Sequence, residues 1–394
     1  MFLSMLLSML LSKLLPTLRY LVALVALVSL QLQAALVPAP PQLAATAYVA
    51  MDAATGDILV ESGADGRFAP ASLTKMMTSY IVEHEIAQGN VAETDLVPIS
   101  VKAWKTPGSR MFVREGTQVL LGDLLRGVII QSGNDASVAL AEYIAGSEDA
   151  FADLMNQHAV RLGLKNTHFE NATGLPADNH YSSPRDLALI ARALIRDFPE
   201  QYSIYAEKYF TYNDIKQPNR NRLLWRDATV DGVKTGHTEE AGYCLVASAL
   251  RDDMRVISVV LGTTSDEARA AESQKLLSYA FRFYRTFPLY QANAVLNTSD
   301  IWKGSLDSVG LGLSEDLAVT IPRGQEDQLA ATLDLPGVIE APLAAGQQVG
   351  SLQISLGGKL LREVPLVSLQ DVAEAGFVKQ IWHSVVLFFK GLFE

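Results

Sequence analysis

Apolar and polar positions alternate in two textures along the chain, with the change at Pro288. Before it, Tyr48-Val49-Ala50-Met51-Asp52 and Asp57-Ile58-Leu59-Val60 flank the turn-like Ala54-Thr55-Gly56, which predicts two strands. Leu73, Met76, Met77, Tyr80, Ile81 and His84 recur at helical spacing behind Pro70, so a helix is predicted over Ala71–Gly89. Further helices are predicted over Leu120–Ile130, Ala136–Ala145, Pro184–Asp197 and Glu272–Phe287. In the third of these, Leu187, Ile190, Leu194 and Ile195 form the inward face. Strands Cys244–Leu250 and Arg255–Leu261 are predicted on either side of the polar Arg251-Asp252-Asp253-Met254. After Pro288, short apolar runs such as Leu317–Ile321 and Leu352–Leu356 alternate with Pro-Arg-Gly, Gly-Gln-Gln and Gly-Gly turns. That spacing predicts a small all-β domain over residues 288–375, acting as a spacer or interaction module.

The ends have patterns of their own. Lys13 and Arg19 precede the apolar run Leu21–Val28, and small residues follow at Ala34 and Ala35, which reads as an export signal over residues 1–35. The polar Gln31-Leu32-Gln33 ends that run early for a retained membrane helix. The apolar stretch Met1–Leu11 ahead of the first basic residue suits a start at Met5 or Met9. Residues 36–46, opening on Leu36-Val37-Pro38-Ala39-Pro40-Pro41-Gln42, read as an extended linker. In residues 376–394, Phe377, Ile381, Val385, Phe388 and Leu392 share one helical face, with Lys379, His383, Lys390 and Glu394 opposite and Leu387 breaking the polar side. The run between Lys379 and Lys390 is too short to cross a bilayer, so the prediction is a helix lying in a membrane surface with Trp382 and the phenylalanines at the headgroups. The competing reading is a helix packed on a domain of its own chain.

A length of 394 residues, 49% hydrophobic and 19% charged, accommodates two ordinary cores and argues against disorder. The net charge of −11, with no basic stripe, argues against a nucleic-acid partner. Cys244 is the single cysteine, which excludes an intramolecular disulfide and a cysteine-rich zinc site; in Tyr243–Ala247 it reads as a small buried hydrophobe.

Three short clusters can carry chemistry. Ser72-Leu73-Thr74-Lys75 places a hydroxyl and an amine three residues apart on one helical face. A serine becomes nucleophilic when a base takes its proton, and a lysine serves only if its pKa is lowered. Taken alone, this pair equally describes a capping serine and a surface lysine. Ser132-Gly133-Asn134 sits between two predicted helices, where its glycine can turn both side chains toward one cavity; alone it is an ordinary polar loop with a cap. Lys234-Thr235-Gly236-His237 leads toward a strand, with Gly236 permitting close approach of a substrate backbone and Lys234 placing a cation beside it. His237 is read through its backbone N–H rather than as a proton carrier, because Lys75 already fills the base role.

The ordered set S-x-x-K, S-G-N, K-T-G resembles the low-molecular-mass penicillin-binding proteins, the D-alanyl-D-alanine carboxypeptidases. The resemblance extends through Gly163–Phe169, Tyr181-Ser182-Ser183, Asp231-Gly232-Val233, Ile321-Pro322-Arg323-Gly324 and Ala341-Pro342-Leu343, and so covers nearly the whole chain beyond residue 35. It implies an α/β (α+β) catalytic domain over residues 47–287, an antiparallel sheet flanked by helices. Ser72 would open a central helix, and Lys234 would lie on or beside an edge strand. A small β-sandwich (288–375) and an amphipathic anchor helix (376–394) follow. It implies that Ser72 attacks the carbonyl between two D-alanines at the end of a peptidoglycan stem peptide, and that Lys75 accepts its proton. Ser132 and Lys234 would relay a proton to the leaving nitrogen, and Asn134 would hold the acyl side. The N–H groups of Ser72 and His237 would form the oxyanion hole, and Thr235 and Arg269 would meet the substrate carboxylate beside Gly236. No metal or organic cofactor is implied. β-Lactams would acylate Ser72, and the enzyme would sit on the periplasmic face of the inner membrane. Two readings compete: a class A β-lactamase, against which no E-x-x-L-N segment lies between Ser132 and Lys234, and a catalytically silent peptidoglycan-binding scaffold, against which all five motif residues are present. Endopeptidase action on cross-linked peptides would use the same residues.

Overall fold

The computed structural model describes residues 37–393, and the side chains of residues 37–390. The leader reading, including Lys13, Arg19, Ala34 and Ala35, lies outside the described residues, as do Leu36, Glu394 and the side chain of Leu392. The described chain forms two compact units, divided between Phe287 and Pro288.

The first unit is built on an antiparallel sheet of β1 (Ala47–Asp52), β2 (Ile58–Ser62), β3 (Val230–Thr238), β4 (Gly242–Arg251) and β5 (Met254–Thr263), in the order β2-β1-β5-β4-β3. The central strands β4 and β5 are buried along most of their length, which is why their sequences read as near-continuous apolar runs. β3 is an edge strand, and its register puts Lys234 opposite Val246.

Helices α1 (Lys75–Ala87), α2 (Asn134–Ala145), α3 (Glu148–Arg161), α4 (Pro184–Asp197) and α5 (Asp266–Phe283) complete the unit, with α4 and α5 packed on the sheet. Met76, Met77 and Ile81 of α1, Leu187, Ile190 and Leu194 of α4, and Val246, Ile257 and Val259 of the sheet share one core. Burying each such side chain stabilises the fold by roughly 1.5–3 kcal/mol.

Four elements depart from those predicted. The helix predicted from Ala71 opens as a 3-10 turn, Ala71–Thr74, and becomes α-helical only at Lys75. The helix predicted over Leu120–Ile130 is α-helical through Arg126, then widens into a π turn, Gly127–Gln131, that ends on Ser132 in the left-handed conformation at φ 65°. Helix α3 has no counterpart among the predicted elements, although Ser147 caps it in the ordinary way, accepting from Ala150 N–H at 3.1 Å. The helix predicted to run to Phe287 stops at Phe283, and Tyr284–Tyr290 is a strand. Its aromatic and β-branched residues suit a pleat, and the Thr286 hydroxyl bonds the Asp52 carboxylate of β1.

The second unit contains a five-stranded antiparallel sheet of β6 (Asn297–Asp300), β7 (Ser308–Gly312), β8 (Leu329–Asp334), β9 (Gln348–Leu356) and β10 (Lys359–Ser368), ordered β6-β7-β10-β9-β8. Helix α6 (Phe377–Phe393) follows it and lays its polar edge on this unit. Lys379 pairs with Asp307 at 2.7 Å, the Lys303 N–H donates to His383 Nδ1 at 2.8 Å, and Trp302 meets the His383 ring edge-on at 5.2 Å. Phe377, Val378, Ile381, Trp382, Val385, Phe388 and Phe389 remain exposed. Among the described residues no helix is long and apolar enough to cross a membrane.

Candidate active site

The three motifs converge on a cleft of about 510 Å³ lined by Ser72, Ser132, Thr235, Gly236, His237 and Arg269, together with Ser109, Arg220, Tyr243 and Asp266. Lys75, Asn134 and Lys234 lie just beneath, each 4% exposed or less.

Ser72 and Lys75 owe their juxtaposition to the 3-10 turn. At three residues per turn, positions i and i+3 eclipse, and the Lys75 amine reaches Ser72 Oγ at 3.1 Å. The same amine lies 2.7 Å from Asn134 Oδ1 and 2.5 Å from the Thr173 carbonyl. Both of the latter can only accept, so a neutral amine spends its two N–H bonds on them and keeps its lone pair for the Ser72 hydroxyl. Burial holds the Lys75 pKa down to about 7, the Arg220 cation adds to that, and Asp135 and Glu148 oppose it. Position and protonation state therefore both suit proton abstraction from Ser72 near neutral pH.

Asn134 is fixed at its other end, its Nδ2 donating to the Pro107 carbonyl at 2.6 Å. Asp135, one residue on, is 1% exposed and binds four backbone N–H groups: Met111 and Ala136 through Oδ1, Phe112 and Val113 through Oδ2. This pair moors the loop that carries Ser109 to the mouth of the cleft. Ser132, turned inward by its left-handed backbone, has a buried Oγ without a hydrogen-bond partner. Lys234 bonds the Thr235 carbonyl at 3.3 Å, and burial, Lys75, Arg220 and Arg269 together hold its pKa well below the usual amine range. No hydrogen bond joins Ser132 to Lys234.

Arg269 is buried, one nitrogen donating to the Gly236 carbonyl at 3.1 Å and another paired with Asp266. It braces the strand that carries Thr235 and His237 as well as lining the cleft. His237 is exposed, its ring 4.0 Å from that of Tyr243. Cys244, opposite Gly236 in the register, is buried, and that burial pushes its thiol up to about 11, which suits an inert packing residue.

Sequence reasoning missed three parts of this site. Arg220 lines the cleft without a side-chain hydrogen bond or ion pair among the described residues. Asp135 carried a usable signal, an acidic residue in the first turn of a helix directly after the motif. The loop supplying the Thr173 carbonyl carried none, since a backbone acceptor leaves no mark in composition.

A serine hydroxyl beside a buried lysine of lowered pKa, on a cleft bordered by an edge strand, has the arrangement that serine acyl-transfer chemistry requires. The comparisons give the family. A family model described as D-alanyl-D-alanine carboxypeptidase matches residues 34–265, and one described as Penicillin-binding protein 5, C-terminal domain, matches residues 284–374. The D-alanyl-D-alanine carboxypeptidase DacA of Escherichia coli K12 is 47% identical over 362 residues, 90% of each chain. The crystal structure of penicillin-binding protein 5 from Haemophilus influenzae superposes with a TM-score of 0.82 at 46% identity, over 86% of this chain and 100% of that one. Penicillin-binding protein D2 of Listeria monocytogenes, solved in an ampicillin-bound form, aligns at TM-score 0.58 and 29% identity over 62% of this chain and 100% of its own. The chain belongs to the D-alanyl-D-alanine carboxypeptidase family, and it is a serine-type carboxypeptidase of the bacterial cell wall.

Proposed function

We propose that Ser72 is the nucleophile and that the enzyme removes the terminal D-alanine from peptidoglycan stem peptides through a Ser72 acyl-enzyme. The observation that carries this is the Lys75 amine, held between two carbonyl acceptors with its remaining valence on Ser72 Oγ. Lys75 takes the hydroxyl proton as Oγ attacks the penultimate D-alanyl carbonyl, and the oxyanion is met by the N–H groups of Ser72 and His237. Ser132, whose hydroxyl is otherwise unbonded, passes a proton to the departing nitrogen with Lys234 behind it. Asn134 aligns the acyl side. Thr235 receives the carboxylate of the departing residue in the cationic field of Arg269 and Arg220. Water then releases the acyl group, and β-lactams enter the same path at the first step. Incubation with benzylpenicillin followed by peptide mass mapping is expected to place the adduct on the peptide bearing Ser72, in a preparation that also frees D-alanine from a peptide ending in D-Ala-D-Ala. An adduct on another residue, or no release, rejects the reading.

Residues 47–287 are the catalytic domain of this proposal, 288–375 a spacer domain and 376–394 its attachment to the periplasmic face of the inner membrane after removal of a leader over residues 1–35. The exposed apolar residues of α6, with its polar edge already engaged, support a lipid surface as their partner. The mature chain is expected to float with phosphatidylethanolamine–phosphatidylglycerol vesicles, and a chain ending at Ala375 to stay behind. Equal flotation of both would remove α6 as the anchor.

A further inference from the structure

Opposite the nucleophile turn, residues 169–180 form a loop that presents the Thr173 carbonyl to Lys75. Asn171 Oδ1 accepts from Thr173 N–H at 3.1 Å, Thr173 Oγ1 at 2.8 Å and Gly174 N–H at 2.7 Å, folding a tight turn that aims the Thr173 C=O at Lys75. Gly174, at φ 77°, allows the approach: a Cβ there would fall 1.8 Å from the Ala71 carbonyl oxygen. Thr78 Oγ1 donates to the Ala172 carbonyl at 2.7 Å on the helix side. At the far end of the loop stands His180, 7% exposed, with Nε2 at 2.8 Å from the hydroxyl of Thr74, which is itself fully buried. The tautomer is settled by the other nitrogen: Nδ1 accepts the Glu170 N–H at 3.1 Å, so Nε2 carries the proton and donates.

We propose that His180 is a positioning residue for catalysis, pinning the 171–180 loop to Thr74 and thereby holding the Thr173 carbonyl, and the dry cover it forms, against the Lys75 amine. Thr74 sits between Ser72 and Lys75 in the chain, so this one bond couples the loop to the turn that aligns base and nucleophile. The role rests on the assignment of Ser72 and Lys75 made above. Its consequence has a defined sign. Burial is the largest cause of the lowered Lys75 pKa, so loosening the cover lets water reach the amine and moves that pKa upward from about 7. Losing one carbonyl partner pulls the other way but is the smaller effect. The groups facing Lys75 are Arg220 and Lys234 toward the cleft, Asp135 on α2 and Glu148 on α3; those facing His180 are His168 and Lys75. Burial holds His180 itself down at about 4, so it stays neutral between pH 5 and pH 9 and a profile over that window reports Lys75.

The test is the rate of acylation by a fluorescent penicillin against pH for wild type, His180→Ala, His180→Gln and Thr74→Val. His180→Ala is expected to slow acylation on the order of 10- to 100-fold at pH 7, the cost of displaced reacting groups, and to shift its acid limb to higher pH. Thr74→Val, which removes the acceptor while keeping the shape, should move the limb the same way. His180→Gln, whose amide can still donate to Thr74, should recover most of the rate and the wild-type limb. If His180→Ala fails to fold, the Thr74→Val and His180→Gln pair decides. An unmoved limb in both His180→Ala and Thr74→Val, or a wild-type rate in Thr74→Val, overturns the inference. Absence of acylation at Ser72 in the wild type would instead overturn the assignment it rests on.

Discussion

Ser72→Ala is expected to abolish D-alanine release and to leave the protein folded and unlabelled by penicillin. Loss of the nucleophile in serine hydrolases costs on the order of 10⁶-fold in kcat, since what survives is only the oxyanion hole and substrate positioning. Ser72 is half-buried in the lining of the cleft, and among the described residues its side chain is hydrogen-bonded to Lys75, so the substitution removes one hydroxyl and leaves no large void. Melting temperature should therefore change little while activity vanishes, which separates a chemical role from a structural one. Steady-state release and penicillin labelling of the purified variant are the measurements. Retained release at even one hundredth of wild type would put the nucleophile elsewhere.

Lys75→Met should be nearly as inactive, and its stability should carry a distinct pH signature. Methionine keeps the length of the stem and discards the amine. Base and nucleophile act as a unit, so Ser72→Ala combined with Lys75→Met is expected to be no worse than the more damaging single change. In the wild type, acylation rises with pH through about 7 as the buried amine loses its proton. Stability follows the same group. Between about 7 and the unfolded value of 10.5, the unfolded chain binds a proton at Lys75 that the folded chain does not. Raising the pH through that window therefore favours the folded state of the wild type relative to Lys75→Met by roughly 1.4 kcal/mol per pH unit. The difference in urea-unfolding free energy, measured at intervals from pH 7 to 10, gives this slope. A flat difference would mean that Lys75 is an ordinary charged lysine in the folded protein.

The candidate catalytic residue types were legible because the proposed chemistry restricts them: a hydroxyl, an amine three residues on, and two further polar clusters in fixed order. The central strands of the sheet were legible for a different reason, whereas Lys234–His237 was read only as leading toward a strand and lies within β3 itself. Buried central strands such as β4 and β5 must be continuously apolar, and helix α4 must present Leu187, Ile190 and Leu194 on one side. Boundaries were less legible. A 3-10 opening at Ala71 and a π widening at Gly127 share the apolar spacing of an α-helix and differ only in how tightly the backbone winds.

The sequence by itself determined the candidate groups, the apolar strands and helices around them, and the amphipathic character of residues 376–394, while the antiparallel pairing was implied by the family resemblance. Only the tertiary structure decided how those groups are tuned. The Thr173 carbonyl reaches Lys75 across 98 residues of chain, His180 reaches Thr74 across 106, and Arg269 reaches the Gly236 carbonyl across 33. The lowered pKa of Lys75 depends on how completely distant segments exclude water from it. Desolvation and backbone acceptors belong to the assembled interior rather than to any stretch of chain, so local pattern names the candidate base but cannot lower its pKa.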